Sequence, residues 1–320
     1  MNVYDFDKTI YNKDSTFQFY FFCLKKNLFL LRFAFIQIWY LLIYIFGLID
    51  KTKFKSGFFS FLKGIVNIDG YLFEFWQKNQ RYINGWYIKQ KKDTDVIISA
   101  SPEFLLLPIC RILGVKNLIA SKVDEKTGKF YSKNCYGEEK LLRLKNDLNI
   151  NKIDRFYSDS LSDSPLASIS KEAYLVDNKN FISWKDYKPT KIGKVKKLFF
   201  SKQFIGFLII GAINAINGVL FAAFFTIFLD GNSAFVCGYI ISLTVSYVLN
   251  SFLVFKNKID IKKYFKFCIS YIPNFLIQNL IVFLLYNLLE LNKYFTYSVA
   301  VILSIPITFL ALKLFAFKNK

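Results

Sequence analysis

The stretch that decides the reading lies at the N-terminus: Val3-Tyr4-Asp5-Phe6-Asp7-Lys8-Thr9-Ile10. Apolar residues run into a polar turn that carries two carboxylates two positions apart. With residues 2–6 as a short buried strand and Asp7 on the turn, both acids point into one site at the strand's end. Cleaving a phosphate monoester needs an in-line nucleophile, a proton donor for the leaving oxygen, and cations around the phosphoryl oxygens. Asp5 suits the nucleophile, forming an aspartyl-phosphate. Asp7 suits the general acid and then the base for water. Taken alone, the string fits a surface turn equally well.

Working outward, other segments supply the missing parts. Residues 95–99 read as a strand that ends at Ser99, whose hydroxyl and the following N–H of Ala100 suit a phosphoryl oxygen. Residues 103–113 read as a helix, and 117–120 as another short strand. Residues 122–131 contain Thr-Gly and read as a hairpin flap. Lys140 opens a helix over 138–148 and offers a cation to the same phosphate. Asp159-Ser-Leu-Ser-Asp163 follows a strand over 153–158, which places two more carboxylates at a strand's C-terminal edge, where ligands bind in open α/β sheets. A strand over 173–176 follows. Strands alternating with helices predict a parallel α/β sheet up to about residue 183. An oxygen-rich site of this kind suits Mg²⁺ better than a softer metal.

Together these four motifs, in this order, resemble the haloacid dehalogenase (HAD) superfamily of phosphatases. Asp5-Phe-Asp7-Lys-Thr9 is similar to the first motif, with Lys8 where Gly is common. Ser99 matches the second, Lys140 the third, and Asp159 with Asp163 the fourth. The resemblance implies a Rossmann-like core with a helical cap over about 11–92, and Mg²⁺ held by Asp5, the carbonyl of Asp7, and Asp159, with Asp163 supporting. It also implies that Thr9, Ser99, Ala100 and Lys140 bind substrate. Ser162 stands where the phosphoserine phosphatase branch often has Asn. Ser99-Ala-Ser-Pro-Glu103 and Asn134-Cys-Tyr-Gly-Glu-Glu-Lys140 resemble the branch containing the C-type phosphatidylglycerophosphate phosphatases.

Beyond residue 183 the composition changes. Residues 184–203 form a basic segment in which lysines 185, 188, 191, 194, 196, 197 and 202 surround aromatic and aliphatic residues. It reads as an interfacial linker at a membrane surface, or as a plain solvated one. Four apolar stretches follow, about 204–229, 233–255, 266–290 and 294–317, each long enough to cross a hydrocarbon core. Together they predict an all-α transmembrane four-helix bundle over 204–320. Positive charge collects in the joint around Lys256 to Lys266 and at the C-terminus, so both ends and that joint are expected in the cytoplasm. Phe255-Lys-Asn-Lys258 and Phe317-Lys-Asn-Lys320 point to a duplicated helix pair, with Ser242 meeting Ser304, Ser246 meeting Thr308 and Tyr247 meeting Phe309. Ser246-Tyr-Val-Leu-Asn250-Ser-Phe-Leu-Val-Phe255 resembles the GtrA family of four-helix membrane proteins, which implies a link to polyprenyl-phosphate-linked sugars.

Composition supports a membrane protein. Hydrophobic residues make up 54% of the 320, with 38 Phe and 20 Tyr, and net charge is +20; mean hydropathy is +0.30. The lysines flank apolar runs and form no isolated patch, which favours membrane lipids over nucleic acid as partners. The complete lack of His excludes histidine catalysis and the common zinc sites. The five cysteines show no CxxC spacing and read as free thiols. No secretory signal follows Met1, so a cytoplasmic catalytic domain on the plasma or inner membrane is expected.

Within the cap, Leu28 to Ile49 is apolar enough for a span, yet its flanks must lie on one side if Asp5 shares a site with Ser99, Lys140 and Asp159. A dipping hairpin, an interfacial segment and ordinary cap core stay open. Asn214, Asn217, Asn250, Asn274, Gln278 and Asn279 need partners inside the bundle, or form a headgroup or sugar site. Three functions follow: a phosphatase for a phosphorylated lipid or lipid-linked sugar, a phosphatase joined to a translocator of such sugars, or a tethered phosphatase for soluble esters. A homo-oligomer is also open.

Overall fold

The computed structural model describes residues 1–177, 180–188 and 198–318. Lys191, Lys194, Lys196, Lys197 and Lys320, named above for their charge, lie outside the described residues. The chain divides into two compact units, residues 1–44 with 49–188, and 45–48 with the remainder.

The first unit is built on a six-stranded sheet of order β3-β2-β1-β4-β5-β6. Its strands are β1 (Asn2–Tyr4), β2 (Val96–Pro102), β3 (Asn117–Ser121), β4 (Ile153–Ser158), β5 (Ser170–Asp177) and β6 (Asn180–Ser183). β1 lies in the middle, with Val3 and Tyr4 in parallel register with Val96 and Ile97 on one side and with Phe156 and Tyr157 on the other. Alternation along each strand sends successive side chains to opposite faces. Val3, Val96, Ile98 and Phe156 fill the core on one face. Tyr4, Ile97 and Tyr157 fill the core on the other. The chain order reverses between β1 and β4, and that switch point opens the crevice in which an α/β sheet binds ligands.

Two details depart from the sequence reading. β1 is three residues long, so Asp5 lies beyond its end. β6 runs antiparallel to β5, making the sheet mixed. β6 returns to β5 after only a short connection, whereas a parallel neighbour requires a crossover of a dozen residues or more.

Helices follow local signals. In the cap, Asp14 caps α1 (Ser15–Lys26) by accepting from Phe17 N. Asp50 caps α3 (Lys51–Phe58) by accepting from Lys53 N at 2.7 Å. α4 (Ile68–Asn79) is fastened to α5 (Glu103–Ile112) where Trp76 Nε1 donates to Leu105 O at 2.7 Å. Between α1 and α3 lies α2 (Ala34–Ile45), which has no buried residue. Phe35 is 84% and Trp39 61% exposed. The ordinary cap-core reading therefore does not hold for α2. The 122–131 flap closes through an antiparallel bridge between Val123 and Phe130. Gly128 at its tip has φ +74°, and a Cβ there would lie 2.3 Å from Phe59 O, so only glycine fits.

The second unit consists of helices over Lys202–Phe225, Gly231–Val254, Ile261–Leu288 and Lys293–Ala316, each long and apolar enough to cross a membrane. By the same measure Leu28–Ile45 of the cap is a fifth. The third segment is interrupted at Ser270, so it is two helices, Ile261–Ile269 and Tyr271–Val282, with a π-helical end.

The duplication is visible in what is buried. In the second helix the buried residues are Ala234, Gly238, Ser242, Ser246, Tyr247, Asn250, Ser251 and Val254, followed by Phe255. In the fourth they are Thr296, Ala300, Ser304, Thr308, Phe309, Leu312 and Ala316, followed by Phe317. Apart from Ser251, each lies 62 positions from its counterpart. Both helices end in a π-helical turn, Asn250–Val254 and Leu312–Ala316, again at that offset. Phe255 stacks on Phe317 with ring centroids 4.3 Å apart. Small residues every fourth position allow close helix approach where the surroundings are as apolar as the helix itself. Gly238 illustrates this, since a Cβ there would lie 2.5 Å from Ala222 N.

Candidate active site

Asp5 leaves the end of β1 with its N–H bonded to Tyr157 O at 2.8 Å, which directs its carboxylate between β2 and β4. Lys140 comes from the opening turn of α6 (Glu138–Leu148) and donates to Asp5 Oδ1 and Asp163 Oδ2, both at 2.7 Å. All three side chains are buried. Burial works against the ammonium, yet the two carboxylates together hold its pKa above the usual lysine value. Burial also raises the pKa of Asp5, only partly offset by Lys140. Asp163 accepts a further bond from Ser158 Oγ at 2.8 Å.

Asp7 follows on a turn made possible by Lys8, whose φ is +57°. That left-handed backbone explains why glycine is the easier residue at this position. Asp7 Oδ1 accepts from Ser15 N at 2.7 Å, and Oδ2 accepts from Ser101 Oγ. Burial, and then the charge of Asp14, push the Asp7 carboxyl up to about 6. An acid in that range holds a proton for part of the time near neutrality, as a general acid must.

Ser99 and Ser101 occupy β2 where its register against β3 shifts between Ile98 and Pro102. Such an irregularity re-aims side chains, here towards the carboxyl edge of the sheet. Asp5, Asp7, Ser99, Ala100, Lys140, Asp159 and Asp163 all line one cavity of about 370 Å³. Thr9 does not: its side chain is fully buried, and its Oγ1 finds no hydrogen-bond partner. A wider groove of about 710 Å³, lined by Lys78, Arg81 and Ile112 among others, contains no carboxylate and none of the motif residues.

Sequence reading did not single out Ser101, Asp14, Lys51 or Lys55, yet all four line the cavity. The only signal for Ser101 was its position two residues after Ser99. For Lys51 and Lys55 there was none, because a lysine in a helical cap reads as a solvated face.

As to a metal, the donors at this edge are oxygens only. Asp159 is pushed up to about 7 by burial first and by the charge of Asp5 second. Neighbouring, partly dehydrated carboxylates that repel each other are the setting a divalent cation relieves. No group of three or more Asp, Glu, Cys or His side chains among the described residues is arranged to hold an ion. The set that fits is therefore smaller: two carboxylates, a backbone carbonyl and water, which is how Mg²⁺ is commonly held.

Comparisons with known proteins agree with the geometry. Residues 3–168 match the family model of haloacid dehalogenase-like hydrolases, and residues 206–317 match the GtrA/DPMS transmembrane domain. Among solved structures the chain is similar to a protein of unknown function from Bordetella pertussis Tohama I, at 20% identity and TM-score 0.43, covering 54% of this chain and 87% of that one. It is also similar to a phosphoserine phosphohydrolase-like protein from Francisella tularensis subsp. tularensis SCHU S4, at 15% identity and TM-score 0.33, covering 54% and 84%. No curated protein matches. With more than half of its length in the first match, and with a site of the phosphatase type, this chain belongs to the haloacid dehalogenase-like hydrolases and carries a GtrA/DPMS transmembrane domain after its catalytic unit.

Proposed function

We propose that the protein is a Mg²⁺-dependent phosphomonoesterase acting on a phosphorylated lipid or lipid-linked intermediate at the cytoplasmic leaflet. Asp5 attacks phosphorus and the phosphoryl group passes to its carboxylate. Asp7, held by Ser15 and Ser101, gives its proton to the leaving oxygen and then takes one from the water that releases phosphate. Ser99 and the Ala100 N–H hold phosphoryl oxygens, and Lys140 balances the charge of Asp5 while Asp163 fixes its position. Mg²⁺, held by Asp5, the Asp7 carbonyl and Asp159, would neutralise charge on the phosphoryl oxygens.

One observation carries the membrane part of this reading. Thr16 and Phe17 on α1 and Lys51 to Phe58 on α3 line the same cavity, while the segment between them presents an unburied α2. Both flanks of α2 therefore lie at the catalytic centre, which argues against a single crossing by Leu28–Ile45. A segment that dips into the lipid or lies on it satisfies both facts. Phe35, Ile36, Ile38, Trp39 and Leu41 are exposed, and each side chain transferred from water to an apolar phase contributes about 1.5–3 kcal/mol at most. The GtrA/DPMS spans of the same chain keep it at a bilayer.

The test uses full-length protein in vesicles with lipid phosphates and, in parallel, p-nitrophenyl phosphate. The double substitution Phe35→Ser, Trp39→Ser is expected to lower turnover of the lipid at least about tenfold, a loss of about 1.4 kcal/mol, with little change for the soluble ester. Equal losses on both, or no lipid preference in the parent, would leave a tethered enzyme for soluble phosphates.

A second reading, in which the bundle also presents or moves a lipid-linked sugar, draws on polar pairs inside the spans. Ser242 Oγ donates to Asn214 Oδ1 at 2.7 Å, and Gln278 Nε2 donates to Ser304 Oγ at 2.9 Å. Interhelical adhesion explains both pairs equally well.

A further inference from the structure

Two donors and two acceptors meet where the cap touches the catalytic sheet. Lys55, on the cavity face of α3, donates from Nζ to Ala100 O at 2.7 Å and to Asn134 Oδ1 at 2.8 Å. Ser121, at the end of β3, has its Oγ 3.0 Å from Ala100 O and 3.1 Å from Asn134 Oδ1, and accepts from Cys135 N. Thr52 Oγ1, a turn earlier on α3, accepts from Asn134 N at 3.1 Å, so the helix holds that segment twice. Ser121 and Asn134 are buried.

Counting protons separates the two donors. A serine hydroxyl carries a single proton, so Ser121 satisfies Ala100 O or Asn134 Oδ1 but never both. An ammonium carries several, so Lys55 serves both at once. The amide nitrogen of Asn134 finds no hydrogen-bond partner among the described residues, which leaves Lys55 and Ser121 to fix how that amide is turned. Behind Ala100 O lies the phosphate-binding segment. The peptide that presents Ala100 O continues as Ser101 N–H, which donates to Ser99 Oγ at 3.1 Å. Because the peptide is planar, turning its carbonyl turns its N–H as well. While Ser99 Oγ accepts from Ser101 N, its own proton is left to give to a phosphoryl oxygen.

We propose that Lys55 is a positioning residue, which holds the Ala100–Ser101 peptide from the cap so that the Ser99 hydroxyl presents its proton to the transferred phosphoryl group. This rests on the phosphomonoesterase reading above. Lys55 acts through Ser99 and takes no part in bond making or breaking. Without it, Ala100 O and Asn134 Oδ1 compete for the one proton of Ser121, and the peptide that aims Ser99 loses its fixed orientation. Seating of α3 on the sheet and alignment of the phosphate-binding serine are then one event.

A double-mutant cycle isolates the role, with full-length protein in mild detergent and with p-nitrophenyl phosphate and dodecyl phosphate as substrates. Lys55→Met is expected to lower kcat/KM about tenfold in the parent, but less than about twofold in a Ser99→Ala background, where no hydroxyl remains to be aimed. Lys55→Arg has donors enough for both acceptors and should keep most of the activity. Ser121→Ala should cost less than Lys55→Met, because Lys55 still serves both acceptors. Should Lys55→Met not fold, Lys55→Gln carries the same comparison. No loss in the parent overturns the role, and so does an equal factor in both backgrounds, the mark of direct substrate contact or of a general loss of structure. Failure of the parent to hydrolyse either ester overturns the phosphomonoesterase reading instead.

Discussion

Replacing Lys140 by methionine tests the charge arrangement on which the site depends. Lys140 is buried between Asp5 and Asp163 at 2.7 Å from each, so the change leaves two buried carboxylates without their cation. Removing one partner of a buried ion pair costs about 3–5 kcal/mol, mostly because the remaining charge is stranded. For a unit of this size each kcal/mol moves Tm by about 2–4 °C, so the catalytic unit should melt about 6–20 °C lower. Thermal unfolding of the full chain in detergent with a chelator present, followed by tryptophan fluorescence, reads this directly. Adding Asp163→Asn to Lys140→Met removes one stranded charge and should restore roughly half of the loss. The sign with pH follows. Burial already raises the Asp5 pKa against the pull of Lys140, so without Lys140 that carboxyl lies further above the unfolded value of about 3.9. The folded state then binds more protons, so stability falls as pH rises, and the deficit should be smaller near about pH 5.5 than near about pH 8. A Tm within about 1 °C of the parent, or a further drop on adding Asp163→Asn, would refute the bridging role.

Other outcomes are more briefly stated. Asp5→Asn should abolish hydrolysis by several orders of magnitude while circular dichroism shows an intact fold, because the nucleophile is lost and Lys140 keeps Asp163 as its ion-pair partner. Removal of Mg²⁺ by chelation should stop turnover, and its return should both restore turnover and raise Tm, as any ligand of the folded state does. Burial first, and then the charge of Lys51, bring the Lys55 pKa down to about 8 against the opposing pull of Asp7, Asp14 and Cys135, so this cavity-lining lysine loses its charge as pH rises through that value. KM for an anionic substrate should therefore climb above that pH in the parent and stay flatter in Lys55→Arg. Gly128→Ala should destabilise the catalytic unit by at least about 1–3 kcal/mol from its left-handed backbone alone, measured as a fall in Tm, since its Cβ would also meet Phe59 O.

Much of this protein is determined locally. Period-two alternation around Val3, Val96 to Ile98 and Phe156 is a property of the residues themselves, and it locates the strands whose ends carry Asp5, Ser99 and Asp159. Caps such as Asp14 and Asp50 mark helix starts in the same local way. The four apolar segments are equally plain, because length and composition alone decide whether a helix can span a bilayer. The 62-residue duplication showed in a few strings, and the buried faces of the second and fourth helices then matched position for position.

Other features depend on contacts between segments distant in the chain. Lys55 reaches Ala100 and Asn134 across 45 and 79 positions, and nothing near Lys55 reveals those partners. Thr9 belongs to the right motif yet turns into the core, because the tight turn at Lys8 sends Asp7 outwards and Thr9 inwards. The apolar character of α2 is written in its residues, but whether it is core or surface depends on which neighbours cover it: α1 and α3 meet Gln37 and Tyr44, while Phe35 and Trp39 stay exposed. Strand ends and membrane spans are properties of a segment; the inner wall of a catalytic cavity is a property of which segments meet.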